Sequence, residues 1–237
     1  MEFLSAFRIA FELISNLDAD LIEVVGLSLR VSFTALVISG LIGLPLGALL
    51  ATTRFFGKQA AVTGVNALLA LPPVVVGLVV YMALSNTGPM GWLQLLYTPT
   101  AMIIAQTILV TPIIIALSRQ TLEELNERYN EQLSSLGVFG IDRMMTLLIE
   151  ARHTLITVLL AGFGRAISEV GAVIIVGGNI NHVTRVMTTT IALETSKGDL
   201  GLALALGIIL LSLALVVNIA ITSTKRLEKR VSHVYAN

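Results

Sequence analysis

Arg165 and Glu169 stand one helical turn apart inside an otherwise apolar run from about Leu155 to Val176. A charge held in hydrocarbon costs roughly 2.5–3.5 kcal/mol on insertion scales, so it is rarely kept without a reason. The spacing permits an i,i+4 ion pair on one helical face. Two roles stand at this point: a structural bridge between packed helices, or a place on a polar path through a membrane. A guanidinium would attract an oxyanion passing along such a path. A second signal is Pro72-Pro73, early in another apolar run. A proline frees the carbonyl four residues back and bends the helix, and bent helices can border a cavity. Gly43 and Gly47 form a small-xxx-small pair that lets a second helix come close. Pro45 lies between them, and Pro112 falls late in a third run.

Other chemistries lack their residues. Gly57-Lys58 has no upstream phosphate-loop glycine and is followed by Gln59, so nothing here cradles a nucleotide. His153, His182 and His233 lie far apart in three segments, and there is no cysteine, so no metal site and no disulfide is expected. No Gly-x-Ser-x-Gly elbow and no pair of intramembrane aspartates is present, which leaves an intramembrane hydrolase without a nucleophile or base. The chain is therefore expected to be a non-enzyme without a cofactor. Lys plus Arg equals Asp plus Glu at 15 each, so bulk charge points to no nucleic acid.

The elements that must position these residues are membrane helices. Of 237 residues, 55% are hydrophobic and 13% charged, about half the charged share of an ordinary soluble domain. Five runs are long and apolar enough to span: about Val31–Thr52, Ala60–Leu84, Thr100–Leu117, Leu155–Val176 and Leu200–Thr222. Lipid leaves the backbone no outside partner, so helices are required. Barrel strands are not expected, because no run shows the necessary dyad alternation. The fold class is thus an all-α membrane protein with about five transmembrane helices. An amphipathic segment at residues 1–23 precedes a transmembrane domain at 24–225, and a short tail follows at 226–237. Phe3, Leu4, Phe7, Phe11 and Ile14 fall near one face of that first segment, as in a helix lying on the membrane surface or a frayed end packed on the bundle. Met1-Glu2, with Arg8 and Glu12 close behind, does not read as a signal peptide.

Basic residues set the orientation. With the C-terminal Lys225, Arg226, Lys229 and Arg230 inside, Arg54, Lys58, Arg119, Arg128, Arg143 and Arg152 fall inside too. Only Arg8, Arg30, Arg185 and Lys197 fall outside. The positive-inside rule then predicts the N-terminus outside and the C-terminus in the cytoplasm. On the inner side runs the long charged segment Ser118 to His153, far longer than a bundle connection needs. It mixes acids with apolar positions such as Leu122, Leu125, Leu133, Met144 and Leu148, and Gly137 and Gly140 divide it. Two short amphipathic helices about a glycine break read as a docking platform for a soluble partner, with solvated connecting helices as the alternative.

Glu131-Gln132-Leu133-Ser134-Ser135-Leu136-Gly137 resembles the EAA loop of permease subunits from ATP-binding-cassette importers. Glutamate and glycine match in spacing, while Gln132 and Leu133 replace the alanines and Glu150 stands where a Leu-Pro usually closes the segment. Gly43-Leu-Pro-Leu-Gly47 and Leu71-Pro-Pro-Val-Val-Val-Gly77 are similar to the family's first two core helices. Arg165-Ala-Ile-Ser-Glu-Val-Gly-Ala172 and Gly177-Gly-Asn-Ile180 resemble a run shared by molybdate and sulfate permeases. Together with Thr188-Thr-Thr-Ile-Ala-Leu-Glu-Thr195, the pattern is most similar to tungstate permeases.

The resemblance implies a homodimeric channel subunit in the plasma membrane of a bacterium or archaeon. Its partners would be two cytoplasmic ATPase subunits and an extracytoplasmic oxyanion-binding protein. Tungstate is the expected anion, with molybdate and sulfate as alternatives. Glu131, Gln132, Leu133 and Gly137 would couple to the ATPase, and Arg165, Glu169, Pro72 and Pro73 are candidates for the translocation path. An ion-coupled secondary transporter is the rival class. It needs intramembrane ion ligands and usually internal repeats, whereas Glu169 is the one carboxylate inside a run and no repeat is evident.

Overall fold

A computed structural model of the chain describes residues 2–16 and 18–234, and the side chains of 7–16 and 18–219. In chain order, α1 is Glu2–Ser15, α2 Ala19–Thr52, α3 Lys58–Leu69, α4 Pro73–Leu84, α5 Pro99–Arg128 and α6 Asn130–Ser135. These are followed by α7 Gly140–Glu150, α8 Arg152–Ile167, α9 Gly171–Gly177, α10 Met187–Lys197 and α11 Leu200–Val234. No strand occurs among the described residues, so the all-α class holds. The expectations for Phe3 and Leu4, and for the basic cluster Lys225, Arg226, Lys229 and Arg230, lie outside the described side chains.

Among the described residues, three helices are long and apolar enough to cross a membrane: α2, α5, and α11 over Leu200–Ile219. Two further pairs reach that length only across a corner, α3 with α4 at 98° and α7 with α8 at 75°. The single run expected over Ala60–Leu84 is therefore two helices. Its break lies at Ala70–Pro72, where Pro72 adopts an extended conformation and Pro73 opens α4 as its first residue. A residue before proline is pushed out of the α region, and proline is well suited to the first turn. Pro45 and Pro112, by contrast, sit inside helices that continue through them.

Two compact units form, Met1–Gly26 with Val186–Asn237, and Leu27–Arg185. In the first, Ala10, Met187, Ala205, Leu206 and Ile209 make a buried cluster, with Ile9, Leu13, Ile191 and Leu202 packed around it. The outward face of α1 carries Phe7, Phe11 and Ile14, all more than half exposed.

In the second unit α5 is the central post, packed against α3, α4, α8 and α9. The glycine pair does what its spacing predicts. A Cβ on Gly43 would lie 2.8 Å from Ile114, and one on Gly47 would lie 2.0 Å from Ser118 Oγ and 2.9 Å from the Ile115 carbonyl. Only hydrogen at these positions allows α2 to touch the backbone of α5. Ser39 adds a hydroxyl donated to the Thr107 carbonyl at 3.3 Å. Outward, Phe33, Leu41, Val79 and Met82 are each more than half exposed, an apolar surface of the kind that lipid or a further subunit covers.

Candidate functional site

Two helix breaks meet in the second unit. The apolar run Leu155–Val176 does not continue as one helix: α8 stops at Ile167, residues Ser168–Val170 turn, and α9 begins at Gly171. A Cβ on Gly171 would come 2.9 Å from Val74, at the start of α4. One turn on, a Cβ on Gly77 would be 2.8 Å from the Cα of Ala172 and 3.1 Å from its carbonyl oxygen. The two helices thus lie backbone to backbone, each opening just after its own break.

Glu169 holds this corner. Its side chain is only 3% exposed. One carboxylate oxygen accepts a hydrogen bond from Ala172 N–H at 3.0 Å, and the other pairs with the guanidinium of Arg165. Burying a carboxylate is tolerable when charge and hydrogen bonds compensate it, and both are present. The N–H it accepts lies in the first turn of α9, where those groups have no helical partner. Arg165 differs: 31% of its side chain stays accessible. Its remaining donors are therefore open to a further partner while Glu169 keeps it oriented. Pro72 is exposed and Pro73 half-buried, at the head of the helix that Gly171 touches. Arg165, Glu169 and the Pro72-Pro73 break therefore belong to one locality.

Gln106 also belongs here and escaped sequence reasoning. It is buried in α5, and its amide donates to the Ala166 carbonyl at 3.0 Å, next to Arg165. Its own carbonyl oxygen is buried without a hydrogen-bond partner. The available signal was a lone amide in the apolar stretch Met102–Leu109.

The coupling candidates occupy α6 and the turn after it. Glu131 and Gln132 are exposed, whereas Leu133 is buried and anchors the short helix. Gly137 has φ +70° with open space around its missing Cβ, a conformation that glycine adopts freely and other residues do not. Two short helices divided at the glycines are present as α6 and α7, but α5 extends to Arg128, so the first third of the charged segment continues a long helix. The ion pair Arg119–Glu123, with Lys58 3.1 Å from Glu123, supports that extension. Leu136, Phe139, Ile141, Met145 and Ile149 are all more than half exposed around α7.

The family model described as "Binding-protein-dependent transport system inner membrane component" matches residues 43–233. The chain belongs to that family. This transport component is 40% identical to the tungstate uptake system permease protein of Peptoclostridium acidaminophilum, over 94% of this chain and 98% of that protein. It is also 40% identical to a probable anion ABC transporter permease protein of Haloferax volcanii, over 84% of this chain and 88% of that one. The tungstate uptake system permease protein of Campylobacter jejuni is 36% identical, over 93% and 92% of the two chains. Permeases named for molybdenum and sulfate match less closely, at 29% and 27% identity.

Proposed function

We propose that this chain is the membrane channel subunit of an ATP-driven importer of a tetrahedral oxyanion, tungstate. The observation that carries the reading is 40% identity to a tungstate uptake permease over 94% of the chain. The lower identity to permeases named for molybdenum and sulfate favours tungstate over those anions. Its surroundings are the inner membrane, a second copy of the same chain, two ATPase subunits and an extracytoplasmic binding protein. ATP hydrolysis belongs to the separate subunits.

In this reading residues 24–225 form the permease domain with five spans: α2, α3 with α4, α5, α8 with α9, and α11. α1 lies at the outer surface with Phe7, Phe11 and Ile14 toward lipid, the N-terminus is outside and the C-terminus cytoplasmic. Glu131, Gln132, Leu133 and Gly137 belong to the segment that docks the ATPase. Arg165, set by Glu169 beside the Pro72-Pro73 break, attracts the anion on its way through. Transport follows from alternating access: ATP binding shifts the balance between inward- and outward-open forms through contacts that differ between the two. The exposed acid and amide of α6 and the apolar rim of α7 support the docking assignment.

The test changes residues on that surface. Glu131→Ala removes an exposed charge, and Gly137→Pro forces a φ near −65° where the chain needs +70°. Both should insert normally but lose most transport-coupled ATP hydrolysis. Normal coupling in both variants overturns the docking assignment.

A further inference from the structure

Arg143, in the first half of α7, follows Asp142 in sequence, yet it binds two asparagines. Its Nε donates to Asn126 Oδ1 at 2.7 Å, and its Nη2 donates to Asn130 Oδ1 at 2.8 Å and to the Asn126 carbonyl at 3.5 Å. Asn126 lies in the last turn of α5, and Asn130 is the first residue of α6. The Asn126 carbonyl is among the last four of α5, which have no donor within the helix. A cation there also complements the helix dipole. One guanidinium therefore closes the end of α5, grips the start of α6 and belongs to α7. The contact spans the Tyr129 junction and both positive-φ glycines, Gly137 and Gly140, where the segment would otherwise hinge.

We propose that Arg143 is a positioning residue for energy coupling: it locks α6, α7 and the lower end of α5 into one body. This rests on the reading of α6 and α7 as the ATPase-docking segment. A force on α6 or α7 then reaches α5 directly, and not only through the 75° corner into α8. From α5, Gln106 passes it to the Ala166 carbonyl, beside Arg165. The device needs the planar fork of arginine, because a lysine presents one compact ammonium and cannot bridge both amides at fixed geometry.

The test uses the complete transporter in proteoliposomes, with tungstate imported per ATP hydrolysed as the readout. Arg143→Lys keeps the charge and removes the fork. It should lower that ratio at least threefold while the ATPase subunits still co-purify. The double variant Asn126→Ala with Asn130→Ala should show the same loss, and adding Arg143→Lys to it should change nothing further, as expected for partners in one network. In the permease alone, amide exchange across α6 and α7 should speed up in Arg143→Lys. A wild-type ratio in Arg143→Lys, or in the asparagine double variant, overturns the proposal. So does loss of ATPase co-purification, which would make Arg143 a direct docking contact. If Glu131→Ala and Gly137→Pro uncouple but the Arg143 and asparagine variants do not, only the lock fails. If Glu131→Ala and Gly137→Pro couple normally, the docking reading fails first.

Discussion

Gly77→Ala probes the tightest contact near the paired breaks. The new methyl would sit 2.8 Å from the Cα of Ala172, 3.1 Å from its carbonyl oxygen and 3.3 Å from Ile175 Cβ. Two of those three atoms are backbone, so no rotamer change makes room. Restoring ordinary contact requires α4 to back away from α9 by about 0.6 Å, and overpacking of this kind costs about 1–3 kcal/mol. Replacing a helical glycine by alanine returns about 0.5–1 kcal/mol. The net loss is then about 0–2.5 kcal/mol, up to roughly a 70-fold fall in the folded-to-unfolded ratio. Gly64→Ala, inside α3 with nothing within 4 Å of the new methyl, is the control and should gain about 0.5–1 kcal/mol. Unfolding of both variants in mixed micelles of rising SDS fraction, followed by far-ultraviolet circular dichroism, measures the difference. Equal stability of the two, or a more stable Gly77→Ala, would refute the backbone-to-backbone packing of α4 on α9.

Arg165→Ala strands the buried Glu169 carboxylate and should destabilise by about 2–3 kcal/mol, below the range for a fully buried pair because Arg165 is a third exposed. Arg165→Met with Glu169→Gln should restore folding, since the amide oxygen can still accept from Ala172 N–H, yet stay transport-dead; recovered tungstate uptake would remove Arg165 from the path. For topology, the cysteine-free chain offers no labelling background. Single cysteines at Asn16, Asn86 and Ser196 should react from outside the cell, and one at Ser232 only after permeabilisation. Labelling of Ser232 in intact cells would invert the assignment.

Much of this was legible in the chain because bilayer spans are written in runs of apolar residues. The Pro72-Pro73 break, the Gly43/Gly47 contact and the Arg165–Glu169 pair all rest on local chemistry at fixed spacing. What escaped depends on partners distant in sequence. The turn at Ser168–Val170 is hidden inside an apolar run, and it exists because Glu169 folds back to take the Ala172 N–H. The polar stretch Gly177–Asp199 conceals α10, whose start is fixed by Thr189 Oγ1 accepting from Val186 N–H at 3.1 Å while Met187 and Thr189 are buried. The grip of Arg143 on Asn126 crosses 17 positions and two turns, and no periodicity announces it.

The central claim concerns what moves and what drives it. Proteoliposomes holding this chain with its ATPase subunits, loaded with ATP and given the binding protein outside, should accumulate tungstate. Uptake should stop when ATP, the ATPase subunits or the binding protein is omitted, and tungstate should out-compete molybdate and sulfate. Tungstate accumulation by the chain alone, driven by a proton or sodium gradient without ATP, would contradict the account.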